Sequence, residues 1–90
     1  MYKKNEKILI RPESNNTFLF YNIETEEMFK LNRSAYIIYK KSIQCRNDKD
    51  IIEAVCSETH DNIVTASKPI LDFIDLMLKK GVIYYIEADK

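Results

Sequence analysis

The chain has 90 residues, 14 basic and 14 acidic side chains, 46% apolar residues, one glycine and two prolines. This is enough for one modest core spanning residues 1–90 as a single domain, and the composition is that of a folded protein rather than a disordered one. A formal charge of zero offers no basic excess to a phosphate backbone, so nucleic acid is not an expected partner.

In chain order, Lys7 to Arg11 reads as a short strand with Ile8 and Ile10 on one face, closed by the turn-forming cluster Pro12 to Asn16. Thr17 to Ile23 is β-branched or aromatic on both faces, which predicts a strand covered on both sides. A turn at Glu24 and Thr25 leads into a third strand, with Met28 and Lys30 facing one way and Phe29 and Leu31 the other. The three runs predict an antiparallel meander.

Asn32 then serves as N-cap of a helix whose Ala35, Ile38 and Tyr39 share a face. Asn47 or Asp48 caps a second helix with the apolar stripe Ile51, Ile52, Val55 and Cys56, ending near Thr59 or His60. A third helix is expected to start between Thr65 and Pro69, because proline is tolerated in the first turn, and Gly81 after Lys79 and Lys80 stops it. The tail VIYYIE adds a short strand or lies along the bundle.

On the third helix, Leu76, Phe73, Met77, Ile70, Ile74, Leu78 and Leu71 sweep an arc of roughly 220°, against the roughly 100° or somewhat more that a single core requires. Two readings fit. The helix is central and covered by its neighbours, or part of the arc meets a molecule outside the domain.

Chemistry-bearing groups are few. Cys45, Cys56 and His60 lack the paired C-x-x-C spacing of a zinc site, so two reduced thiols and a histidine at a helix end are expected, with no metal. Ser57, Thr59, His60 and Asp61 include the residue types of a hydrolytic triad, but neighbours in sequence do not form a spatial relay, so no catalytic residue is assigned. The sole glycine follows a helix instead of opening one, which removes a phosphate loop and leaves no expected cofactor. No apolar run is long enough to cross a bilayer and no apolar segment precedes the first acidic residue, so a cytoplasmic protein without membrane contact is expected.

The stretch FYNIETEEMFKLNRSAYIIYK resembles the strand, Leu-Asn, helix signature of the PqqD-like family through Leu31, Asn32, Ala35, Ile38 and Tyr39. Ile51 follows that aromatic at the spacing found in the family, and DFIDLMLKKGVI matches the family's closing motif through Phe73, Ile74, Met77, Gly81 and Val82. The likeness runs from about residue 7 to residue 83 and rests on the order of individually weak motifs. Arg33 stands where the family often has Pro, Tyr39 replaces its usual Trp, and Ile43-Gln44 lacks its turn glycine. Leu76 and Leu78 occupy positions that are usually polar, and they are suited to a partner enzyme or to a second copy in a homodimer.

The resemblance implies an α+β fold similar to a winged helix-turn-helix, with an N-terminal three-stranded antiparallel sheet and a three-helix bundle. It implies a RiPP recognition element, a non-catalytic peptide chaperone that binds the leader of a ribosomally made precursor peptide. The leader would add as a strand to Met28, Phe29, Lys30 and Leu31, against a wall of Ile70, Phe73, Ile74 and Met77. It would thereby be presented to a separate modifying enzyme, often a radical SAM maturase. Two alternatives remain: a small winged-helix DNA-binding regulator, which requires a basic recognition surface, and a metal- or thiol-dependent enzyme resting on Cys45 and Cys56.

Overall fold

A computed structural model describes residues 1–87. The elements are β1 (Tyr2–Lys4), β2 (Ile8–Pro12), β3 (Phe18–Asn22), β4 (Met28–Leu31), α1 (Arg33–Gln44), α2 (Asp48–Thr59), α3 (Ile63–Lys79) and β5 (Ile83–Tyr85). The expected meander forms a three-stranded antiparallel sheet in the order β2-β3-β4, followed by the three helices. A second, two-stranded sheet joins β1 to β5, with Tyr2 opposite Tyr85. The tail therefore does form a strand, and its partner is the start of the chain. Nothing local announces β1, since three residues show no usable alternation and its pairing spans almost the whole sequence.

The inner face of the larger sheet carries Ile8 and Ile10 from β2, Phe18 and Phe20 from β3, and Phe29 and Leu31 from β4, all part of one apolar core. Phe20 is fully buried, with ring centroids 5.0 Å from Tyr39 and 5.7 Å from Phe29, and Phe18 stacks on Tyr36 at 3.7 Å. These aromatic contacts fasten α1 beneath the sheet. Contrary to the expectation for β3, only this face is fully covered. Leu19 and Tyr21 are half-buried on the other face, where Leu9 and Met28 are 56% and 63% exposed.

Asparagines set the ends of the elements. The buried Asn22 side chain accepts from the amides of Glu24 at 2.9 Å and Thr25 at 3.1 Å, so the β3–β4 turn is longer than a Glu24-Thr25 pair and places Glu26 at φ 63°. Asn32 accepts from the Ala35 amide at 2.9 Å and Asn47 from the Asp50 amide at 2.9 Å, fixing the starts of α1 and α2. On α1 the buried set is Ile37, Tyr39 and Ser42, with Ala35 and Ile38 half-buried, a stripe rotated slightly from the expected one. The fully buried Ser42 hydroxyl donates to the Tyr39 carbonyl at 2.6 Å, so a small polar side chain is satisfied inside the packing. On α2, Ile51, Val55 and Cys56 are buried as expected, and the helix ends in an exposed left-handed His60.

The start of α3 differs from expectation. Asn62 accepts from the Val64 amide at 2.7 Å and starts the helix before Thr65, which leaves Pro69 inside it. An interior proline costs about 3 kcal/mol through a lost bond and a ring clash with the carbonyl four residues back; Pro69 and Thr65 are both exposed, so the Thr65 carbonyl left without its donor can be hydrated. At the other end Gly81 adopts φ 73° and the Val82 amide donates to the Met77 carbonyl at 2.9 Å, a turn that aims the chain into β5.

Replacing Asn22 by Ala leaves two turn amides without their acceptor and should cost about 1–3 kcal/mol in urea unfolding. Two buried tyrosines set an alkaline limit. The Tyr2 phenol is pushed up to about 12 by burial and then by its hydrogen bond to Asp48, and that of Tyr39 to about 12 chiefly by burial. Both folded values exceed the ordinary 10.0, so the native state retains protons that the unfolded chain has released. Stability should be complete below pH 10.0 and fall as the pH rises toward about 12. Urea midpoints measured on either side of that window check this, and Tyr39→Phe should make the decline shallower.

Candidate functional site

Backbone bonding makes the two edges of the larger sheet unequal. The Ile23 amide donates to Lys7 at 2.9 Å, that of Glu13 to Thr17 at 2.7 Å, and that of Asn22 to Glu27 at 2.9 Å. Antiparallel alternation then commits Phe18 and Phe20 to Leu31 and Phe29 on β4, while Met28 and Lys30 direct their amides and carbonyls to the side away from β3. No strand occupies that side among the described residues. On the opposite edge, the outward amide of Ile8 is taken by the Asn5 carbonyl at 3.0 Å, and Pro12 has none to offer. Only Ile10 of β2 retains an outward donor.

Beside the open β4 edge lies a groove of about 230 Å³ between β4 and α3. Phe29 and Leu31 form its sheet side, Phe73, Leu76 and Met77 its helix side, and Val82 its end, with Lys80 at the rim; Lys30 also borders it, though alternation turns its side chain toward the other sheet face. Strand alternation explains the first pair: the residues bonded to β3 turn their side chains inward. The helix wall follows from α3 spacing, because positions 73, 76, 77 and 80 recur at the three- and four-residue steps of one helical flank. Neither lysine has an ion-pair partner among the described residues. An apolar slot with Lys80 at its mouth and backbone donors along one side is suited to an extended peptide with apolar side chains.

Of the eight residues singled out from sequence, Phe29, Lys30, Leu31, Phe73 and Met77 meet at this groove. Met28 contributes its backbone to the edge, while its side chain lies on the opposite sheet face. Ile70 and Ile74, 3% and 2% exposed, do not line the groove; Met77 is as buried at 2% but borders it, and Leu76 supplies the exposed part of the wall. Leu76 is 46% exposed, whereas Leu78 packs against the core. The excess apolar arc of α3 is therefore open along one flank rather than wholly enclosed. Lys80 and Val82 are not among the peptide-binding residues expected from sequence, although Val82 belongs to the closing motif. The unusual apolar character of Leu76 was the available signal for that flank.

The other candidate chemistry assembles no relay. Cys45 and Cys56 are free, and burial pushes the Cys56 thiol up, away from the thiolate that nucleophilic chemistry requires. Among the described residues no three metal-ligating side chains cluster. The Thr59 hydroxyl donates to Val55 at 2.9 Å or Asp61 at 2.6 Å, the pattern of a polar helix end. No described helix is long and apolar enough to cross a membrane.

An edge strand packed beside a long helix defines a small α+β domain in which the outer side of β4 has no strand partner among the described residues. The chain belongs to the PqqD family: the family described as Coenzyme PQQ synthesis protein D (PqqD) matches residues 6–83. Among curated proteins none matches the sequence. Two solved structures share the fold. One, TbiB1 in complex with the TbiA(beta) leader peptide, superposes with a TM-score of 0.76 at 15% identity, covering 96% of this chain and 99% of that one. The other, lasso peptide synthetase B1 complexed with the leader peptide, gives 0.77 at 14% identity, covering 93% and 98%.

The burial difference along α3 yields a paired outcome. Ile74→Asp places a charge in the core and should abolish the cooperative thermal transition seen by circular dichroism. Leu76→Asp, on the open flank, should change stability by no more than about 1 kcal/mol.

Proposed function

We propose that this chain is a non-catalytic leader-binding protein. It takes up the leader of a ribosomally made precursor peptide as a fourth strand on β4 and presents it to a separate modifying enzyme. The observation that carries this reading is the pairing of free backbone groups at Met28 and Lys30 with an adjoining apolar groove. Main-chain bonds would give affinity, and the pocket between Phe29, Phe73 and Leu76 would select the side chain that enters. Family membership and two similarly folded proteins solved with leader peptides support the same assignment. A radical SAM maturase is one kind of enzyme that the resemblance implies.

The winged-helix likeness serves peptide rather than DNA in this reading. The exposed side of α3 presents Asp72 and Asp75, each beside a lysine, at 3.1 Å from Lys68 and 3.9 Å from Lys79, rather than an unopposed row of cations.

The test is titration with synthetic leader peptides, drawn from any short open reading frame found beside the gene for this chain. Leu76→Asp should weaken binding by at least about tenfold, or 1.4 kcal/mol, with the fold retained. Lys30→Pro removes an outward amide without touching a bond to β3 and should weaken binding comparably. Undiminished affinity in both variants would move the peptide off this edge.

A further inference from the structure

The face of the β2-β3-β4 sheet turned away from the helices is not absorbed by leader binding. Its side chains lie in cross-strand rows fixed by the register. One row is Leu9, Tyr21 and Met28, and the next is Arg11, Leu19 and Lys30. Beyond the first row Lys7 stands opposite Ile23, which is itself 46% exposed. A shallow depression of about 350 Å³ runs among Leu9, Leu19, Tyr21 and Met28. An apolar surface spread over all three strands is more than scattered exposure in a domain of this size.

Charge selects among occupants. Lys7, Arg11 and Lys30 are the cations of this face, and Glu13, which continues its alternation beyond β2, is the one carboxylate, 3.3 Å from Arg11 with side chains 33% and 72% exposed, so the face keeps a cationic excess. Stacking this face on a second copy sets Arg11 against that copy's Lys30 when the two-fold axis runs along the strands. When the axis runs across them, Arg11 meets that copy's Lys7 instead. Either aligned packing brings like charges together, whereas a surface with apolar centre and acidic margin complements both features. β4 also joins this face to the groove, since its alternate residues serve the two surfaces.

We propose that the outward sheet face docks the modifying enzyme, through a patch on that enzyme that is apolar in the middle and fringed with carboxylates. The inference rests on the leader-binding reading for the identity of the partner. A leader held on β4 would then leave the domain alongside the docked enzyme, without crossing the helical side.

The test uses the full chain and a purified candidate modifying enzyme, one that modifies the same leader peptide. Docking is measured by sedimentation without leader, and leader affinity is measured separately without enzyme, so failure of either reading is distinguishable. The variant is Leu9→Glu with Arg11→Glu, both on β2 and remote from the β4 edge. The expected result is at least a tenfold loss of enzyme docking with leader affinity within twofold of wild type and an unchanged circular dichroism spectrum. Wild-type docking by the folded variant overturns the proposal. So does a wild-type chain that self-associates through this face and is made monomeric by the same substitutions. Should the double variant not fold, Leu9→Ser alone replaces it and should weaken docking severalfold; undiminished docking counts against the face.

Discussion

Phe20 is the point on which the rest of the architecture depends. It is the middle residue of the middle strand, has no exposed surface, and meets Phe29 on the neighbouring strand and Tyr39 on the first helix. Sheet, helix and groove thus share one contact set: Phe29, whose ring helps form the slot beside α3, is held from behind by the ring that anchors α1. An aromatic in this position resists local shifts because its neighbours have no space to yield, and interiors close-packed in this way transmit displacement. The geometry at the sheet edge is consequently set from the centre of the core.

The junction at Leu31 and Asn32 converts that core order into an edge. Leu31 is buried, Asn32 caps α1 through the Ala35 amide at 2.9 Å, and the chain turns from strand to helix without a loop. The strand is therefore only four residues long, with two of them facing outward. A short edge with two outward residues offers few backbone bonds, so the affinity of any added strand must come in large part from side chains entering the groove. That division of labour matches the placement of Leu76, an apolar residue left exposed where burial in the domain's own core gives no reason for it.

Much of this was legible in the sequence because it is encoded locally. Alternation in MFKL separated Met28 and Lys30 from Phe29 and Leu31, and the asparagines before α1 and α2 announced both caps. What was not legible depends on relations between distant segments. Periodicity on α3 identified a wide apolar arc but not its rotation about the helix axis, so Ile70 and Ile74 could not be told apart from Leu76 as core or wall. The start of α3 was misplaced because Pro69 was weighed as a first-turn residue, while the Asn62 cap, backed by an exposed position for the proline, was the stronger signal. β1 was invisible because it exists only through β5, and the second covered face expected of β3 was absent because the helices all serve the inner side.

The inequality of the two sheet edges reaches beyond recognition. If β2 were as open as β4, copies could pair head to tail, each donating one edge and accepting the other, and such a contact has no closing symmetry. The product would be a fibre, built from the same backbone groups that the groove exposes. Pro12 removes a donor from β2, and the Asn5 carbonyl occupies another at 3.0 Å, so β2 keeps only the Ile10 amide as an outward donor and is the poorer edge for pairing. A proline and a folded-back asparagine thus make head-to-tail pairing of copies less favourable while β4 keeps its outward amides.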